Sequence, residues 1–567
     1  MSEGGLRMWR GLALGCAVML AGCAASGGAD EGRAADARAA ASGGFGAYLA
    51  AHAARLRDDV GAASDNFQRT LAADPDNPDV LRLGLVYAVA DGRFDAAEKT
   101  ARTIAQARPG DMLAGYVLSV AAARGGDWKA AAEALAPIPE NNLNGLLGPL
   151  LKAWIAAGAG DIDGGLAALK PLAEKKAFLP VANFHSALLL DFARRDAEAE
   201  AAYERTLSGD GGRSIHAMQA AGRFFNRIGK PERVGEMLDT YVAQHGDAPL
   251  AEALAERLQS RRMSAPMVGS AQEGMGEAFF SIASSLTNVD AWEVTLALAQ
   301  LAVRVDPGLD LTQVLIGEMF EGHEDFERAN RAYAAVPTDS VVAYSVRLRV
   351  AKNLERMDRR DEAAACLSDL AQRFPKRSEP LIELGDLYRG ANRYEEAVTA
   401  YDGAFARLGA IERRHWVLFY TRGISLERAK QWPRAEADFL KALELEPDQP
   451  LVLNYLGYSW LDQGMHLDRA QAMIEKAVEQ RPRDGYIVDS LGWAYYMRGN
   501  YAEAVKQLEQ AVVLVADDPT INDHLGDAYW RTGRKLEARY QWERALGLNP
   551  EDQQVEEIRA KLRDGLK

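Results

Sequence analysis

A glycine recurs through the last third of this 567-residue chain at Gly385, Gly423, Gly457, Gly492 and Gly526, at intervals of 38, 34, 35 and 34 residues. Its neighbours recur with it. Gly385 is followed by Tyr388, Tyr394, Ala397, Tyr401 and Ala404, and Gly423 by Leu426, Trp432, Ala435, Phe439 and Ala442. Gly526 leads to Tyr529, Gly533, Ala538, Trp542, Ala545 and Pro550. A period of this length means one small supersecondary unit used many times. Such a unit cannot bury both faces alone, so stacked neighbours must supply the core. Alanine, leucine and charged residues dominate, and β-branched runs bounded by turn residues are scarce, which predicts an all-α chain.

The frame has a direct physical reading. The small residue at each recurring glycine lets a second helix approach the first, the later alanine does so from the other side, and the aromatic between them fills the wedge. Asn392, Gly464, Gly499 and Gly533 permit the reversal between helices, and Pro447 and Pro482 stop the second helix. This frame resembles the tetratricopeptide repeat, a helix–turn–helix unit of about 34 residues. The resemblance implies a right-handed α-solenoid of tandem helix pairs, twelve to fourteen of them over the whole chain.

The match is best over 378–550 and weakens upstream. Residues 315–337 and 350–375 keep the frame through Gly317, Phe320, Phe326, Ala329 and Tyr333, and through Ala351, Leu354, Ala363, Leu367 and Pro375. Degenerate units fill 44–257, beginning around Gly84, Tyr87, Gly92, Phe94 and Ala97. The stretch "LQSRRMSAPMVGSAQEGMG" breaks the pattern, so 258–275 is expected as an irregular loop or hinge before repeats resume over 276–550. Residues 551–567 read as the polar capping helix that such arrays need for solubility.

The N-terminus follows other rules. Arg7 and Arg10 precede "GLALGCAVMLA", an apolar run too short for a bilayer, which needs about 20 residues. A basic head before a short apolar stretch reads as an export signal, residues 1–22. The run ends in Leu20-Ala21-Gly22-Cys23, which resembles the lipobox of bacterial lipoprotein precursors. That resemblance implies cleavage before Cys23, lipid on its sulfur and amine, and, with Ala24 rather than Asp next, sorting to the periplasmic face of the outer membrane. The alternative is a secretory signal with an incidental cysteine. Residues 23–43 carry almost no large apolar side chain and form a tether with a reach of roughly 25 Å.

Charge and chemistry narrow the function. A formal charge of −15 disfavours nucleic acid and electrostatic docking to anionic lipid, because both need clustered Lys and Arg. Membrane contact is expected only through the lipid. The eight histidines are scattered, without HxxxH or HExxH spacing, so no metal is expected, nor any cofactor. "GAGDIDGG" (158–165) lacks the Lys-Ser/Thr of a phosphate loop and the later acids of a calcium loop; it reads as an inter-helix turn. Cys366 lies in "DEAAACLSDL" and reads as a small core residue. No catalytic residues are identified, and an enzyme is not expected.

What the repeat leaves over is a stripe. Asp489, Trp493 and Tyr496 fall at i, i+4 and i+7, on one side of the first helix of their pair. The neighbouring units offer Asn454, Tyr458 and Leu461, and Asp523, Asp527 and Trp530, with Arg531 the nearby cation. In tetratricopeptide arrays the first helices line the concave face, so the resemblance implies a protein-binding groove with aromatic walls and an acidic or amide floor. The alternative is that these aromatics pack between adjacent repeats. Asp489, Asp523 and Asp527 favour the groove, because a carboxylate gains nothing from burial unless paired.

The whole pattern is similar to that of tetratricopeptide outer-membrane lipoproteins that act as partners of periplasmic carboxyl-terminal processing proteases. It implies an adaptor that binds client proteins, activates the protease and presents cell-wall hydrolases to it. The second expectation is a scaffold for another envelope assembly, such as polysaccharide export, lipoprotein trafficking or division.

Overall fold

The computed structural model describes residues 44–566, apart from 142, 209–213, 246–247, 260–264 and 287–291. The expected signal segment, the tether and the lipobox Leu20, Ala21, Gly22 and Cys23 lie outside the described residues. Among those described, all regular structure is helical, and the helices follow one another in pairs as an α-solenoid. No described helix is long and apolar enough to cross a membrane. Contacts divide the chain into two compact units, one ending at Val341 and one running from Val342.

The C-terminal unit shows the frame most clearly. Its pairs are Ala343–Arg356 with Arg360–Arg373, Glu379–Gly390 with Tyr394–Phe405, and Trp416–Arg428 with Trp432–Leu445. Pro450–Asp462 with Leu467–Gln480, Gly485–Met497 with Tyr501–Leu514, and Pro519–Arg531 with Lys535–Gly547 follow, then a single helix Asp552–Asp564. The last three first helices start on side-chain caps: Gln449 accepts from the Leu451 N–H, Asp484 from the Ile487 N–H and Asp518 from the Ile521 N–H, satisfying amides that no helical carbonyl can reach. The recurring glycines face the second helix of their own pair. A Cβ at Gly492 would lie 2.5 Å from Leu508 Cγ, and one at Gly526 the same distance from Trp542 Cδ1. Ala504, Ala511, Ala538 and Ala545 meet the first helices with no exposed surface. At the reversals Asn392, Gly464, Gly499 and Gly533 take φ of 60°, 67°, 78° and 84°, the left-handed region that these residue types tolerate best.

The N-terminal unit begins with the same plan. Pro78–Ala90, Met112–Arg124, Asn144–Gly158, Leu179–Phe192 and Ile215–Arg227 are successive first helices. The chain then does something the repeat does not contain. Helices Ala271–Ser285 and Trp292–Val305 form a hairpin that packs back on those first helices. Ala271–Ser285 lies on Asn144–Gly158 and Leu179–Phe192; Trp292–Val305 lies on Pro78–Ala90 and Met112–Arg124. Phe279 meets Tyr116 at 5.9 Å between rings, Glu293 accepts from the Tyr87 hydroxyl at 2.9 Å, and Glu277 Oε2 lies 2.8 Å from His216 Nε2. The 258–275 stretch, expected as a loop or hinge, ends in helix from Ala271, because Ser270 accepts from the Glu273 N–H and starts the hairpin there. The break between compact units falls later, after Val341.

Candidate protein-binding face

First helices of successive pairs touch one another along the C-terminal unit, as Pro450–Asp462, Gly485–Met497 and Pro519–Arg531 do, and so build a continuous face. The stripe residues lie along those contacts. Trp493 stacks on Tyr496 of its own helix, with centroids 4.6 Å apart and planes 8° apart, and on His524 of the next first helix at 4.0 Å and 16°. Asp489 is buried with both oxygens on His524 Nδ1, at 3.0 and 3.1 Å. Arg531 donates from Nε to the Tyr496 hydroxyl at 3.4 Å.

The last pair is covered by the terminal helix. Lys561 Nζ donates to both oxygens of Asp523, at 2.8 and 2.7 Å, and to Asp527 Oδ2 at 2.9 Å. Trp542 Nε1 donates to the other Asp527 oxygen at 2.9 Å. Trp530 donates its indole N–H to the Leu566 carbonyl at 3.1 Å, with Lys535 Nζ 5.0 Å from its ring.

These pairings change the reading of the floor. Asp489, Asp523 and Asp527 were expected to need an outside partner because unpaired burial is costly, but each has its partner within the chain. The acidic floor is closed, and these carboxylates hold first helices and the terminal helix together. Leu461, expected in the groove, is fully buried with Leu456 and Trp460 in the core, so it is not on the face. Asn454 is partly exposed, with its Oδ1 buried and unpartnered.

Electrostatics fit the pairings. Burial disfavours the His524 imidazolium, but the Asp489 carboxylate, with Asp523 and Asp527 nearby, outweighs it and holds His524 above the ordinary histidine range. Burial and the Asp523 charge push Asp527 up to about 6, against the pull of Lys561. Burial opposes the charge on Lys561, and Asp527 and Asp523 restore it, leaving its ammonium above the usual lysine value.

What stays available is aromatic and apolar. Tyr458, Trp493 and Tyr496 are partly exposed, and Tyr486 and Met497, at the two ends of the Gly485–Met497 helix, are 57% and 42% exposed. Val417, on the first helix of an earlier pair, is 46% exposed. Tyr486, His524 and Lys561 are the residues that sequence reasoning passed over. Lys561 follows Asp527 by 34 residues, one repeat period, and that spacing was the available signal.

The fold is an α-solenoid of helix pairs whose first helices carry the partly exposed aromatic side chains. Tetratricopeptide repeat models match residues 81–139, 348–408, 420–466 and 492–533, and over these stretches the chain is similar to tetratricopeptide-repeat proteins. Proteins built from these repeats mediate contacts between proteins. No curated protein sequence matches the chain. Among solved structures, a tetratricopeptide repeat protein from Parabacteroides merdae is 17% identical, covering 44% of this chain and 96% of its own, with a TM-score of 0.37. The APC/C assembly Cut9–Hcn1 is 15% identical over 92% of this chain and 95% of its own, with a TM-score of 0.35. YrrB, described as a tetratricopeptide protein with an unusual peptide-binding site, is 17% identical over 35% of this chain and 98% of its own, with a TM-score of 0.27.

Proposed function

We propose that this protein is a non-catalytic adaptor of the bacterial envelope that holds protein clients on the first-helix face of its C-terminal unit. In this reading lipid on Cys23 anchors it to the periplasmic face of the outer membrane, and the 23–43 tether lets the body reach its partners. It serves a periplasmic carboxyl-terminal processing protease, activating it and presenting cell-wall hydrolases. One contrast carries the assignment of the face. In the N-terminal unit the first helices are covered by the chain's own hairpin, whereas Tyr458, Tyr486, Trp493, Tyr496 and Met497 keep exposed surface in the C-terminal unit. Clustered aromatic side chains with part of their area open are the usual anchors of protein interfaces. The lipobox and the family resemblance support the address and the partner.

Affinity purification from envelope extracts after brief crosslinking tests the reading. A processing protease recovered with murein hydrolases, and lost when Trp493 and Tyr496 are changed to Ala, is the expected result. An export, trafficking or division complex in its place overturns the protease assignment. Cys23→Ser should move the protein from the membrane fraction to the soluble periplasm; a variant that stays with the membrane contradicts the anchor.

A further inference from the structure

The two ends of the array are finished differently. At the C-terminal end the helix Asp552–Asp564 turns charged and amide side chains outward and buries only Ile558. That is the polar outer face a repeat array needs where no neighbour follows. At the other end the described chain starts in a helix over residues 44–55. Ala47, Ala51 and Ala54, at i, i+4 and i+7, are the face this helix buries. Phe45 and Leu49 lie on the opposite side, 66% and 53% exposed. Leu56, whose N–H still bonds the His52 carbonyl at 3.1 Å in helical register, is 89% exposed. At 3.6 residues per turn these three fall within about 40° of one another and about 180° from the alanines. The usual order is inverted: the smallest apolar side chains are packed and the largest are left in water. Such side chains scattered singly need no explanation, but three in line along one helix do.

The chain's own tether has nothing to cover them with. Residues 24–43 are alanine, glycine, serine and charged residues, without one leucine, isoleucine, valine, methionine or aromatic. The surface within reach is a bilayer. With lipid on Cys23, the segment 24–43 that joins it to this helix has a reach of roughly 25 Å. The stripe is the first apolar surface that the folded body offers to the membrane holding it.

We propose that residues 44–56 are a membrane-contacting helix, which lays Phe45, Leu49 and Leu56 into the bilayer interface and so fixes how the lipid-anchored body stands on it. The inference rests on the proposed anchor and adds a second contact to it. Helices that lie in an interface bury their apolar face by about 5–10 Å, and their binding scales with the apolar area buried. One acyl chain alone gives only marginal, reversible binding, and three partly inserted side chains give no more. The stripe therefore orients a body that the lipid already holds and does not replace the lipid. Charge adds little. Arg55 and Arg57 flank Leu56, but Asp58 and Asp59 follow at once, and a formal charge of −15 disfavours anionic lipid. The contact is apolar and should be indifferent to salt.

Residues 24–567, made without leader or lipid, keep every described residue and are floated with phosphatidylcholine vesicles over a range of lipid concentrations. The bound fraction is expected to rise with lipid to saturation and to be the same at low and high salt. Binding should be at least about tenfold weaker for Phe45→Ser/Leu49→Ser/Leu56→Ser. These side chains are exposed, so circular dichroism and melting should stay near those of the parent. Leu536→Ser/Tyr540→Ser removes another exposed apolar pair, from the last repeat, and should leave flotation unchanged. No flotation, flotation that the triple variant retains, or equal loss in both variants overturns the inference. So does a dimer seen in sedimentation without vesicles and lost in the triple variant, because it makes a second copy the occupant. Acyl chains on the mature protein, read by mass spectrometry, test the anchor separately. Lipid found without flotation leaves the anchor standing and removes the helix. Flotation, with a native protein that carries no acyl chain, removes the anchor and leaves the helix as the membrane contact.

Discussion

Gly492 and Trp493 are adjacent in the chain and face different neighbours. Gly492 meets Leu508 of its own second helix, whereas Trp493, one residue round the helix, meets His524 of the next pair. Gly492→Leu should therefore damage folding by overpacking, costing about 1–3 kcal/mol in a thermal or denaturant melt. Trp493→Ala and Tyr496→Ala should each weaken client binding by at least about 2 kcal/mol while far-UV circular dichroism stays near that of the parent. Trp530→Ala belongs to a different class. Its indole holds the Leu566 carbonyl and underlies Gly565, so its loss should lower the melting temperature more than it lowers client affinity. Much of the frame at this scale was legible in the sequence, because Gly492, Tyr495 and Ala504 repeat with the period. The partners of Asp489, Asp523 and Asp527 were not, since each lies on another helix about one repeat away.

At the scale of the element, the terminal helix Asp552–Asp564 is more than a polar cover. Its Lys561 neutralises two buried carboxylates of the preceding first helix. Removing the cation would leave them buried without a partner, so Lys561→Met should cost about 3–5 kcal/mol near neutral pH and above. The cost should shrink near pH 5, where Asp527, with a folded-state value of about 6, already carries a proton. The linkage has one sign for both shifted groups. Asp527 binds its proton more tightly folded than unfolded, so its contribution falls as pH rises from its ordinary 3.8 through about 6. His524 is also raised, so its contribution is full below its ordinary 6.5 and is lost as pH rises through the higher folded value. The C-terminal unit should thus melt lower at about pH 8.5 than at about pH 6, and His524→Gln should flatten that slope. An equal slope in the variant would contradict the Asp489–His524 pairing. The terminal helix itself could be read from "EDQQVEEIRAKLRDGLK"; its grip on the preceding pair could not, because a polar tail reads as solvated until its lysine has a partner.

For the molecule as a whole, one kind of repeat is put to two uses. The N-terminal unit folds a hairpin of the same chain onto its first helices, and the C-terminal unit leaves aromatic surface on the corresponding helices. Local periodicity could not reveal the hairpin, since its contacts span 149 residues from Gln272 to Ala123 and 206 from Glu293 to Tyr87. The available signal was the helix Trp292–Val305, in which nearly every residue from Thr295 to Ala302 is buried, as befits an interior helix rather than an amphipathic one. Hydrogen exchange on the full chain, alone and with an envelope partner recovered by crosslinking, tests the division between the units most directly. The account predicts new protection in 450–462 and 485–497, with 144–158 and 271–305 unchanged. Protection confined to the N-terminal unit, or to the second helices 501–514 and 535–547, would contradict it.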